Sequence, residues 1–200
     1  CSAKQMPNPA TELHYNSPFE ILVAVMLSAQ CTDKRVNLVT PALFKSYPTA
    51  QAMSKATAAD ILQFISSVSY PNSKAKHLQA MAAMLIDKFH GEVPDNMTDL
   101  TSLPGVGRKT ANVVMGTVFS KPTIAVDTHV FRVANRIGLA KGKTPLEVET
   151  TLTKNIPPEL RYKAHHWLLL HGRYICKSQR PDCLNCPITQ FCAHFSKLPK

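Results

Sequence analysis

Four of the chain's six cysteines crowd into its last twenty-five residues, in the order Cys176-x6-Cys183-x2-Cys186-x5-Cys192. A disulfide scaffold spreads its cysteines through a shorter chain, whereas this lopsided placement suits a metal site in a reducing compartment. Four thiolates are what an iron–sulfur cube or an all-cysteine zinc site needs. Structural zinc usually takes two Cys-x2-Cys pairs; here a single pair has wider, unequal gaps on either side, which let short loops wrap a bulky group. Spacing alone leaves both metals open. Cys1 and Cys31 fall outside the pattern and read as ordinary thiols, with Cys31 expected to be buried behind an apolar helix.

The rest of the chain reads as helix after helix. Ser17-Pro18-Phe19-Glu20 is a capping box with proline at the first helical position, opening an apolar helix to about Gln30. Thr32 or Asp33 caps a second helix to about Phe44. Pro48 and Thr49 start a short one, and Thr57 to Asp60 caps another. Asn72 or Ser73 opens a long amphipathic helix, with Leu78, Met81, Met84, Leu85 and Phe89 on a helical period and Gly91 at its C-cap. Short and longer helices are predicted over Met97 to Ser102 and Gly107 to Phe119. Asp127 caps one that ends near Gly138, Thr144-Pro145-Leu146-Glu147 is a second capping box, and a last long helix covers about Glu159 to Tyr174. Little alternates with period two, so the fold class is all-α.

The most apolar early run, Ile21 to Ala29, is too short to span a bilayer and lacks the layout of a secretory signal. The first residue is Cys1 rather than Met, which points to a trimmed or processed chain. The net charge of +10 favours a polyanionic partner, nucleic acid being the commonest. A membrane surface is disfavoured because the lysines and arginines are scattered and not gathered on one amphipathic helix.

Leu103-Pro104-Gly105-Val106-Gly107-Arg108-Lys109-Thr110-Ala111 places two glycines around one small apolar residue between two helices, a helix-hairpin-helix. Glycine permits the left-handed backbone of such a turn and lets phosphate approach bare N–H groups at a helix N-terminus. Such a grip holds backbone rather than sequence. On its own Lys109 would read as a solvated helix lysine or a phosphate contact. Asp127, in Val126-Asp127-Thr128-His129-Val130-Phe131-Arg132, would read as an N-cap.

The hairpin segment, the Asp127 segment and the cysteine spacing, in this order, resemble the endonuclease III family of helix-hairpin-helix DNA glycosylases over about residues 11 to 195. The resemblance implies two helical domains. A six-helix domain over 11–121 carries the hairpin. A cluster domain combines 1–10 with 122–200. DNA lies in the cleft between them, with Asp127 facing Lys109. It also implies a [4Fe–4S] cluster on Cys176, Cys183, Cys186 and Cys192. The implied activity is that of a bifunctional DNA glycosylase and AP lyase of base excision repair, acting on oxidised pyrimidines. Lys109 is the amine that attacks the sugar and forms a Schiff base, and Asp127 is the carboxylate that stabilises the developing charge and moves protons. Gly105, Gly107 and Arg108 grip phosphate, as do Lys177 and Arg180 in the first cluster loop.

Leu27-Ser28-Ala29-Gln30-Cys31-Thr32-Asp33 resembles a family turn in which a glutamine fills the space left by an extruded nucleotide, a role that falls here on Gln30. Ser69-Tyr70-Pro71-Asn72-Ser73-Lys74-Ala75 departs from the family's usual GLYNSKA. Tyr70 stands in place of a leucine wedge, as an aromatic that can stack between bases; a buried structural tyrosine is the competing reading. The implied partner is double-stranded DNA with a damaged base or abasic site, met by a monomer in the cytoplasm at the nucleoid. Three rivals remain. One is the monofunctional adenine-mismatch branch, which lacks the hairpin lysine. Another is a DNA-binding protein using hairpin and cluster only for structure. The third is a zinc protein, which metal analysis would reveal.

Overall fold

The computed structural model describes residues 10–197. The expected place of residues 1–10 in the cluster domain falls, but for Ala10, outside the described residues, as does Cys1. The described residues divide into two units: Glu12–Ser120, and 121–197 with Ala10 and Thr11. No strand occurs among the described residues, and no helix there is long and apolar enough to cross a membrane.

The first unit holds seven helices: α1 Pro18–Ser28, α2 Asp33–Ser46, α3 Ala50–Ser54, α4 Ala58–Ile65, α5 Pro71–Phe89, α6 Met97–Ser102 and α7 Arg108–Phe119. That is one more than the six expected; α3, the shortest, is capped by the Thr49 hydroxyl. Its core is built around α1, whose Phe19 to Leu27 are all buried because the segment is apolar on every side. Val36, Leu43, Met53, Ile61, Ile65 and Leu100 close around it. Of the period expected on α5, Leu78, Met81 and Leu85 are buried, whereas Met84 and Phe89 pack at the margin. The second unit holds α8 Thr128–Ile137, α9 Pro145–Asn155 and α10 Pro158–Tyr174, then two 3-10 turns, Thr189–Phe191 and Phe195–Lys197. Val130, Val133, Val148, Leu152 and Leu168 form its core.

Several boundaries differ from the sequence expectation. The reciprocal capping box is complete only at Thr57–Asp60. At Ser17 and Thr144 the hydroxyl does accept from the third helical N–H, but the carboxylates of Glu20 and Glu147 accept from Asn16 N and Lys143 N, one residue further out. Glutamate is one methylene longer than Asp60 and overreaches the cap. The long helix starts at Pro71, not Asn72 or Ser73, with Tyr70 before it in a left-handed conformation, and ends with His90 as well as Gly91 at positive φ. The apolar helix α1 stops at Ser28, two residues before Gln30: the backbone leaves the helix at Ala29, with ψ 115°, and Gln30 follows at φ 53°.

Three buried histidines lie on α10: His165, His166 and His171. His166 is 5% exposed, and its Nε2 is buried without a hydrogen-bond partner among the described residues. Burial, and the neighbouring His165, lower its pKa to about 3. A histidine that is neutral when folded but titrates near 6.5 when unfolded adds its full stability above pH 6.5 and loses it as pH falls toward 3. The stability difference between wild type and His166→Leu should therefore move in the variant's favour by roughly 2 kcal/mol between pH 7.5 and pH 5. Urea denaturation at the two pH values measures it, and a difference that stays constant would mean that His166 takes up its proton in the fold as readily as in the unfolded chain.

Candidate functional site

In the first unit the hairpin is closed by Val106 N donating to Leu103 O at 3.1 Å, with Leu103 N on Leu100 O at 3.2 Å. Leu103 and Val106 are buried and root the turn in the core. The two glycines serve different ends. Gly105 has φ +78°, and a Cβ there would sit 2.8 Å from the His77 Cβ. Gly107 has an ordinary φ, and a Cβ there would meet nothing within 4 Å. It precedes α7 with no side chain of its own to cap the helix, so an anion can come close to the helix N-terminus. Arg108 and Lys109 are exposed on that turn.

Gly105→Ala should accordingly cost at least about 1–2 kcal/mol, from the left-handed backbone and the histidine contact. Gly107→Ala should stay within about 0.5 kcal/mol of wild type yet weaken duplex binding about tenfold, since the methyl stands where phosphate must come close. Urea denaturation beside a duplex titration separates the two. Equal effects on stability would contradict the assignment.

Gln30 and Tyr70, brought together from two loops, line one cleft of about 170 Å3 with Ser73, Lys74, His77 and Gly105. Both have left-handed backbones, at φ 53° and 55°, a conformation that side chains other than glycine adopt at a cost of order 1 kcal/mol or more. Tyr70 is 64% exposed, which sets aside the buried-tyrosine reading. Cys31, expected inside, is only half-buried at the edge of the core. Lys74 was not singled out by the sequence reading. It is buried, and its Nζ donates to Leu27 O at 2.8 Å and Ala29 O at 2.7 Å.

In the second unit Asp127 is the N-cap of α8, its Oδ1 accepting from Val130 N at 2.8 Å. The apolar Ile124, Ala125 and Val126 before it are buried, and the His165 ring bonds Ala125 O at 2.8 Å, so the approach to the cap is fixed. Arg132 supports the fold through carbonyls, its Nε donating to Cys176 O at 3.1 Å and its Nη2 to Gly172 O at 2.8 Å. His129 Nδ1 lies 3.1 Å from the same guanidinium.

Cys176, Cys183, Cys186 and Cys192, each half-buried, line one cavity. Arg136 organises the first loop: its Nη1 donates to Lys177 O at 2.6 Å and lies 3.6 Å from Cys176 Sγ, and its Nη2 donates to Ser178 O at 2.9 Å. Lys177 and Arg180 stand exposed on that loop, Arg180 at φ 47°. Burial raises the Cys183 and Cys186 thiols above their usual range, and the neighbouring cysteines raise them further. Four sulfurs crowded in this way stay deprotonated only around a cationic centre. Among the described residues no three His, Cys, Asp or Glu side chains are grouped to hold a single metal ion. Four cysteines lining one cavity are a donor set of the kind that a four-iron cluster would use, one thiolate to each iron.

Residues 23–158 match the family described as HhH-GPD superfamily base excision DNA repair protein. The endonuclease III of Rickettsia conorii is 51% identical over 196 residues, 98% of this chain and 93% of that protein. The endonuclease III of Escherichia coli is 46% identical over 192 residues, 96% of this chain and 91% of that protein. Among solved structures, a trapped endonuclease III–DNA covalent intermediate, in an estranged-adenine complex, superposes with a TM-score of 0.92 at 47% identity, covering 98% of this chain and 92% of that one. A thermostable thymine-DNA glycosylase shares the fold at 24% identity and TM-score 0.83, covering 92% of this chain and 87% of that one.

Proposed function

Because the chain belongs to the HhH-GPD superfamily of base excision DNA repair proteins, and within it to the endonuclease III family, we propose that Lys109 and Asp127 make it a DNA glycosylase with AP lyase activity. The observation that carries this reading is the exposed Lys109 amine on the first turn of α7, directly after a hairpin glycine that leaves room for phosphate at the helix N-terminus. A strand gripped there brings a deoxyribose within reach of the amine.

The chemistry divides between the two side chains. The Lys109 Nζ, unprotonated, adds to the sugar C1′ as the N-glycosidic bond breaks, and the base leaves with the bonding electrons and takes up a proton. Ring opening gives a protonated Schiff base. Removal of a C2′ proton then expels the 3′ phosphate oxygen, cutting the strand 3′ to the lesion, and water returns the amine. Asp127 faces positive charge that develops on the sugar and serves the proton transfers; its Oδ1 is held by the helix cap and its second oxygen turns to the substrate. Gln30 and Tyr70 fill the gap left by the extruded nucleotide. Gly105, Gly107, Arg108, Lys177 and Arg180 contact phosphates. The substrates are oxidised pyrimidines and abasic sites in duplex DNA.

Cys176, Cys183, Cys186 and Cys192 would hold a [4Fe–4S] cluster. When bound it supplies four iron–sulfur links that tie the C-terminal loops into one scaffold. Arg136 fixes the loop that carries Lys177 and Arg180. A reducing compartment that contains DNA, the cytoplasm at the nucleoid, suits both four free thiols and this substrate.

The test is borohydride trapping on a duplex with an abasic site or an oxidised pyrimidine. A covalent protein–DNA complex is expected. Tight binding without trapping would support the non-catalytic reading.

A further inference from the structure

The carbonyls at the end of α1 have no helical partners, as at any helix C-terminus. Here they are gripped by side chains from one other segment. Lys74 Nζ holds Leu27 O and Ala29 O from 47 and 45 residues away, and Ser69 Oγ donates to Gln30 O at 2.7 Å. The same segment, Ser69 to Lys74, presents Tyr70. A cation at a helix C-terminus is also favoured by the helix dipole. Burial pushes the Lys74 amine below its usual range, with Cys31 acting the other way, so little solvent competes for those bonds. The two left-handed residues of the cleft, Gln30 and Tyr70, thus stand on either side of one polar latch. Conformations of this cost persist only where the surroundings over-determine them.

We propose that Lys74, with Ser69, is a positioning latch that fixes the distance between Gln30 and Tyr70, so that the two side chains enter a duplex as a single preformed wedge. Lys74 is buried and acts through the backbone it grips. This rests on the duplex-opening roles given above to Gln30 and Tyr70. A preformed wedge spends no binding energy on ordering its two loops. Breaking the latch therefore penalises the step that only a duplex requires, extrusion of the nucleotide, more than the lysine chemistry that follows.

The experiment compares borohydride trapping rates on one abasic oligonucleotide, as a duplex and as a single strand, for wild type, Lys74→Met, Ser69→Ala, Gln30→Ala and the Lys74→Met/Gln30→Ala pair. The duplex-to-single-strand ratio should fall about tenfold in Lys74→Met and about threefold in Ser69→Ala. The double variant should fall little below Gln30→Ala alone, because a latch with nothing to hold has no further effect. Losses equal on both DNA forms, or fully additive losses in the double variant, overturn the latch. Should Lys74→Met fail to fold, Ser69→Ala decides, since losing one exposed hydroxyl bond leaves the core intact, and an unmoved ratio there overturns it as well. A wild type that traps neither DNA form sinks the lyase reading and the purpose of the latch with it. A wild type that traps both, with ratios unmoved by every variant, sinks the latch alone.

Discussion

Lys109→Gln should bind an abasic duplex and yield no borohydride-trapped complex, its strand cleavage falling by at least about a thousandfold. The fold gives little reason for any other outcome. Lys109 is exposed on the first turn of α7 and belongs to neither hydrophobic core. Glutamine has similar length and helix propensity, so stability should stay within about 0.5 kcal/mol of wild type. One positive charge is lost beside the phosphate grip, which lowers affinity modestly and reduces the salt slope of binding by about one. What glutamine cannot supply is an electron pair basic enough to form an iminium. A trapped band at undiminished yield in the variant would assign the nucleophile to another amine. A band lost together with the thermal transition would show that the substitution had damaged the fold.

The parts of this fold that sequence exposes are those with local causes. Ser17, Thr32, Thr49, Thr57, Asp127 and Thr144 all cap helices as side-chain chemistry requires, because a cap needs only its own next three residues. Gly105 was legible for the same reason, since its positive φ is a property of one residue. Lys74 and Arg136 were not, because their partners lie some 40 or more residues away and are backbone carbonyls, which no residue type announces. The left-handed Gln30 and Tyr70 were hidden for a related reason. Neither is a residue type that signals such a backbone, and Gln30 is bonded from Ser69, 39 residues away, a contact that only the folded chain makes. The candidate site was thus readable in its chemistry, through lysine, carboxylate and cysteines, and unreadable in the scaffold that aims it.

Asp127 carries two roles on one side chain, and two substitutions separate them. Asparagine caps a helix as well as aspartate does, so Asp127→Asn keeps the bond to Val130 N and should cost only a few tenths of a kcal/mol. Alanine cannot cap, and Asp127→Ala should lose about 1 kcal/mol more. Asparagine and alanine alike lack the negative charge and the exchangeable proton. If the carboxylate stabilises charge growing on the sugar and moves protons, base removal should therefore slow in both variants by roughly 10²- to 10⁴-fold, with duplex affinity nearly unchanged. Single-turnover base release, a duplex titration and urea denaturation give the three numbers. A rate loss that follows stability, small in Asp127→Asn and large in Asp127→Ala, would make Asp127 a helix cap and nothing more. A rate lost equally in both, while stability divides them, would assign the chemistry to the charge.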